Sequence, residues 1–145
     1  MARTPEHIAA LRQVKLFKDL SEDDLTAIAS RAKEVEHSAG SMLVSAGSGP
    51  GGGGFHLILD GKAQVVIGGE ARRTMGPGEY YGEISLIDGK PCTADVKAET
   101  DIKTLSIVSW DFTPLLDERP GLSKALLLTM CNRVRDLESR LAQQS

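Results

Sequence analysis

Apolar residues recur at Ile8, Leu11, Val14 or Leu16, and Phe17, a helical spacing that predicts a helix running toward Leu20. Ser21-Glu22-Asp23-Asp24 then supplies an N-cap residue and an acidic group at the third helical position. A second helix should start there, with Leu25, Ile28, Ala29 and Ala32 on its buried face. From Val35 the texture changes to short apolar runs, Met42-Leu43-Val44, Phe55 to Leu59, Ala63 to Ile67, Thr93 to Ala98 and Ile102 to Val108, separated by turn-forming residues. This predicts antiparallel β structure, with a hairpin at Asp60-Gly61 and a stop at Gly68-Gly69, where positive φ is tolerated. Ser109-Trp110-Asp111-Phe112 has the character of a capped helix start, Leu115-Leu116 continue it, and Pro120-Gly121 break it. In the last segment Leu122, Leu126, Met130, Val134, Leu137 and Leu141 fall three or four apart, which predicts one long amphipathic helix.

The chain has 145 residues, enough for one core and too few for two ordinary domains, so residues 1–145 are expected to form a single unit. Within it a β region should occupy about 33–108 and C-terminal helices about 109–143. A formal net charge of -3, with basic residues scattered, leaves no footprint for a nucleic-acid backbone and disfavours DNA or RNA as a direct partner. Neither a membrane-spanning run nor the apolar core of a signal peptide is present, so a cytoplasmic location without membrane association is expected. The two cysteines, Cys92 and Cys131, fit reduced thiols.

Several chemistries fall away on spacing alone. His7, His37 and His56 lie far apart, unlike the converging histidines of a metal-binding β-barrel, and no nucleophile, base and orienting acid can be assembled. No catalysis and no required cofactor are therefore expected. Six of the eight residues from Gly47 to Gly54 are glycine, yet the block runs into Phe55-His56-Leu57, without the Gly-Lys-Ser/Thr that ends a triphosphate loop. It reads as a flexible loop.

The richest segment is Gly82-Glu83-Ile84-Ser85-Leu86-Ile87-Asp88-Gly89-Lys90-Pro91-Cys92-Thr93-Ala94. It resembles the phosphate-binding cassette of cyclic nucleotide-binding domains, with a cysteine where that family carries arginine. The resemblance extends to Leu16-Phe17-x-x-Leu20-Ser21, Ala39-Gly40, Phe55-x-x-Ile58-Leu59-x-Gly61 and Gly76-Pro77-Gly78-x-Tyr80-Tyr81, in the family's order from Leu16 to Leu141. It implies an α+β, mainly β fold: an antiparallel, jelly-roll-like β-roll with N-terminal helices, a short phosphate-binding helix and a long C-terminal helix.

The resemblance also implies a site at Gly82, Glu83, Ile84, Ser85, Cys92 and Thr93. Gly82 would let backbone approach the ligand, and the amides of Ile84 and Ser85 would face the phosphate at a helix start. Glu83 would accept from the ribose 2′-hydroxyl or, on the alternative reading, cap that helix start. Thr93 would donate to phosphate or a guanine amino group, or is an ordinary strand residue. Cys92 removes a charge-assisted fork worth roughly 1.5 to 3 kcal/mol, and Lys90 offers at best a point charge in its place. The expected function is a stand-alone cyclic nucleotide sensor, cAMP before cGMP, that moves its last helix and signals to an effector protein, with a homodimer through Val134, Leu137 and Leu141. The alternative is a β-roll that no longer binds nucleotide and serves as a protein interaction module.

Overall fold

In a computed structural model, which describes residues 4–47 and 54–144, the amino-terminal segment forms helix α1 (Thr4–Arg12) and then a separate 3-10 turn (Lys15–Phe17). A single helix toward Leu20 is not what forms. Leu11, Val14, Leu16, Phe17 and Leu20 are all buried, and one straight helix would splay them around most of its circumference. Breaking the helix after Arg12 turns all five inward. Helix α2 (Glu22–Ser30) begins where the capping pattern places it, with the Ser21 hydroxyl accepting from the Asp24 amide at 3.1 Å. Leu25, Ile28 and Ala29 are buried on one face.

Among the described residues eight strands follow between residues 33 and 107: β1 (Lys33–His37), β2 (Met42–Val44), β3 (Phe55–Asp60), β4 (Ala63–Ile67), β5 (Glu70–Met75), β6 (Tyr80–Tyr81), β7 (Asp95–Ala98) and β8 (Ile102–Ile107). They form two antiparallel four-stranded sheets, ordered β1-β8-β3-β6 and β2-β7-β4-β5. Side chains alternate accordingly. Ile58 and Ile102 point between the sheets with Ala63, Met75, Tyr81, Val96 and Ala98, while Phe55, Leu57, Leu105 and Ile107 point outward against the helices.

The order corrects the hairpin expected at Asp60-Gly61. A turn is there, with Gly61 at φ 92°, but β3 pairs with β8 and β6 whereas β4 pairs with β5 and β7. The turn carries the chain from one sheet to the other. A Cβ on Gly61 would sit 2.3 Å from the Asp101 carbonyl oxygen, so the crossing is packed against the loop before β8. The actual hairpin is Gly68-Gly69, which joins β4 to β5 with both glycines at positive φ and Ile67 opposite Glu70. Strand β5 gave no sequence signal because five of its six residues are exposed; it is the edge of its sheet, and Arg72 and Arg73 blunt that edge with charge.

Helix α3 (Glu83–Asp88) follows β6, and helices α4 (Ser109–Glu118) and α5 (Pro120–Gln144) close the chain. Val108, not Ser109, is the N-cap of α4, and Ser109 is already helical. Pro120 opens α5 as its first residue, a position where the missing amide hydrogen is not needed. Phe112, Leu115, Leu122 and Leu126 cover the outer face of the first sheet together with Leu25 and Ile28. Phe55 sits at the centre: its ring lies 5.1 Å from Phe112, 5.8 Å from Phe17 and 5.4 Å from Tyr80. This aromatic cluster joins both helical ends of the chain to the strand that enters the candidate site.

Candidate nucleotide site

Tyr80 and Tyr81 deliver the chain into the turn that starts α3. Gly82 is the N-cap, at φ 96°, a conformation that favours glycine. Space demands the same residue, because a Cβ there would lie 2.0 Å from the Gly54 carbonyl oxygen. The end of the glycine block therefore touches the start of α3. Its first residue touches the other end of the segment, where the Gly47 amide donates to the Cys92 carbonyl at 2.8 Å. Residues 48–53, the middle of that block, lie outside the described residues.

Glu83 is the first helical residue and, at 4% exposure, one of two buried polar or charged residues among those described. Its carboxylate accepts from the Arg133 guanidinium of α5 at 3.1 Å. Arg133 also stands over the Tyr80 ring, 5.9 Å from its centroid. Burial raises the Tyr80 pKa above its usual value, the Glu83 charge adds to the rise, and Arg133 opposes it. The guanidinium thus connects the first residue of α3, the strand before it and the last helix. Arg133 is not among the apolar positions that predict α5, so the stripe does not single it out; the signal for it is its seven-residue step from buried Leu126, which returns it to the same side of the helix.

The other expected site residues are distributed less evenly. The Ser85 hydroxyl and the Cys92 sulfur meet at 3.2 Å, so the structure brings the two ends of the segment together. Both are half-buried. Ile84 points its side chain to solvent, which leaves only its amide for the site. Thr93 is exposed and lies in the loop before β7, not in the strand that the Thr93 to Ala98 run predicts, because β7 begins at Asp95. Asp95 instead ties the neighbouring chain, accepting from the Ala46 amide at 2.6 Å.

Behind Gly82, the His56 ring stacks on Tyr81 at 5.0 Å and its Nδ1 lies 2.7 Å from the Ser106 hydroxyl. His7 pairs with Glu34 at 3.2 Å. Burial pushes the Tyr81 pKa up to about 12. A groove of about 790 Å³ runs along the outer side of Tyr80, between the 3-10 turn, Arg73 and the Thr129, Asn132 and Asp136 side of α5. Arg133 belongs to its lining, whereas Ser85 and Cys92 do not. No described helix is long and apolar enough to cross a membrane.

A two-sheet roll whose β6–β7 connection is a short helix, braced by a long terminal helix, is the α+β architecture that the resemblance of the sequence implied. Residues 34–119 match the family model described as the cyclic nucleotide-binding domain, and the chain belongs to that family. It is 30% identical over 110 residues to a cAMP-dependent protein kinase regulatory subunit of Emericella nidulans, a match covering 74% of this chain and 26% of that protein. It is also 30% identical over 151 residues to cGMP-dependent protein kinase 2 of Homo sapiens, covering 99% of this chain and 20% of that one. The chain thus spans about a quarter or less of these relatives. Among solved structures, the N-terminal domain of a transcriptional regulator from Streptomyces coelicolor A3(2) superposes with a TM-score of 0.73 at 27% identity, covering 90% of this chain and 95% of that one.

Proposed function

We propose that this chain is a cyclic nucleotide sensor whose ligand occupies the segment from Gly82 to Ser85 together with Cys92 and Thr93, and whose output is the position of α5. The observation that carries the reading is the contact between Glu83 and Arg133: the carboxylate assigned to the ribose is held by the helix that would transmit the signal. An ionised carboxylate has about four acceptor positions, so a ribose hydroxyl adds to Glu83 beside Arg133 or replaces it. Either event changes the free energy of that helix contact. Ligand shifts the helix only by the difference between its affinities for the two arrangements.

Phosphate would meet the amides at the start of α3, which have no partner within the helix, with Ser85 and Thr93 as hydroxyl donors. Without a guanidinium at position 92 the affinity is expected to fall by about tenfold to a hundredfold relative to an arginine-bearing site. Relatives named for cAMP and for cGMP each share 30% identity with this chain over the residues matched, so both nucleotides are candidate ligands. An effector protein, in the cytoplasm, would read the movement of α5.

Calorimetric titration with cAMP, cGMP and 2′-deoxy-cAMP tests this. Heat from either ribonucleotide, reduced for the deoxy analogue, is the expected result; silence from all three at millimolar concentration overturns it. One observation favours the second reading, a β-roll kept as an interaction module: the Ser85–Cys92 contact fills with the protein's own groups the gap that a phosphate would span.

A further inference from the structure

Lys124, Leu128, Asn132 and Asp136 follow one another along α5 at steps of four, so they share one side of the helix, and all four line the groove of about 790 Å³ beside Tyr80. The 3-10 turn and the residues after it contribute Lys15, Lys18 and Asp19, and β5 contributes Arg73. The base of the groove is apolar. Leu16 and Leu20 belong to the helical core, Ala125 is half-buried, and Leu128 is 56% exposed. None of Gly82 to Ser85, Cys92 or Thr93 lines it.

Three of the charged groups in the groove are engaged from outside it: Asp24 pairs with Arg119 at 3.5 Å, Asp136 with Arg140 at 3.0 Å, and Arg133 with Glu83. What remains is Lys15, Lys18, Arg73 and Lys124 against Asp19 and Glu79, and Glu79 already accepts from the Gly76 amide at 2.8 Å. None of those four cations makes an ion pair among the described residues. In a chain with 20 acidic and 17 basic side chains this positive surplus is local. Its members come from three separate segments, so they border an apolar strip instead of converging on one point as a single phosphate requires. A recessed apolar strip bordered by cations complements a helix with apolar side chains on one face and carboxylates beside them. A flat lipid surface does not reach Leu16 and Leu20 at its base.

We infer that the groove between α5 and the 3-10 turn docks an acidic amphipathic helix of a partner protein, its apolar face on Leu128 and Ala125 and its carboxylates on Lys15, Lys18, Arg73 and Lys124. The docking does not depend on the nucleotide reading.

Fluorescence anisotropy of a fluorescein-labelled model peptide, helical with leucine along one face and glutamate along the other, is measured against the full chain without nucleotide. Saturable binding that weakens as salt rises is expected, with none for a peptide of the same composition in scrambled order or for one carrying lysine in place of glutamate. Leu128→Ser, and separately Lys18→Glu combined with Lys124→Glu, should weaken binding by about tenfold with an unchanged circular dichroism spectrum, because all three side chains are exposed. Amide chemical-shift changes on adding the peptide should centre on Lys18, Lys124 and Leu128. Absence of saturable binding, equal binding of the scrambled peptide, undiminished binding in either variant, or shifts confined to Gly82 to Ser85 overturns the inference. Adsorption to phosphatidylserine vesicles without peptide binding overturns it in favour of a lipid headgroup, and a self-association of the chain that Leu128→Ser abolishes overturns it in favour of a second copy. Peptide binding by a protein that gives no heat with nucleotide removes the sensor reading and leaves the groove.

Discussion

Replacing Cys92 by arginine should tighten cyclic nucleotide binding by about fivefold to thirtyfold. The backbone at this position is already held, with the Cys92 carbonyl accepting from the Gly47 amide, and the side chain is half-buried beside the Ser85 hydroxyl. A guanidinium there gains a charge-assisted, forked contact with phosphate worth about 1.5 to 3 kcal/mol. Ordering so long a side chain costs up to ~2 kcal/mol, part of which is already lost at a half-buried position, and the Ser85–Cys92 contact is given up. The balance is about 1 to 2 kcal/mol, which is the stated range in the dissociation constant. Calorimetry with cAMP and cGMP on wild type and variant measures it, with Cys92→Lys as a second comparison. Lysine supplies charge without the fork and should recover less than arginine. The arginine gain should also shrink as salt rises. If wild type binds and Cys92→Arg binds no tighter while keeping its melting temperature, the missing cation is not what limits this site and the cassette argument fails.

Gly82→Ala should destabilise the fold by at least ~2 kcal/mol, since its Cβ would fall 2.0 Å from the Gly54 oxygen at a φ of 96°; a thermal melt within a degree of wild type would contradict this. Arg133→Gln leaves Glu83 buried without its guanidinium partner and should cost about 1 to 2 kcal/mol in urea unfolding, less than for a fully buried pair because Arg133 is 39% exposed. It should also speed hydrogen exchange in α5 around residue 133, and unchanged exchange would show that the pair does not anchor the helix. For the tyrosines the sign follows from burial: Tyr81 keeps its proton to about pH 12 when folded but only to about 10 when unfolded. Its contribution is thus fully present below pH 10 and is lost between 10 and 12, about 2 to 3 kcal/mol in all. Absorbance of tyrosinate near 295 nm should rise together with loss of circular dichroism, and full ionisation of both tyrosines in the folded protein would refute the assignment.

The sequence by itself determined what depends on neighbours along the chain. The Ser21 cap, the glycine turns at 61 and 68–69, the apolar β runs and the helical stripe from Leu122 are short-range matters of φ preference, capping and periodicity, and they are legible without a fold. The family resemblance of Gly82 to Ala94 was legible for the same reason, as one continuous segment. Tertiary structure decided whatever needed two distant segments to meet. Asp60-Gly61 reads as a hairpin locally, but only the pairing of β3 with β8 turns it into a crossing between sheets. Strand β5 is polar because it is an edge, and being an edge is a property of the sheet, not of the strand. The contacts of Glu83 with Arg133 and of Ser85 with Cys92 likewise arise across 50 and seven residues, where packing and not local preference sets which side chains face each other.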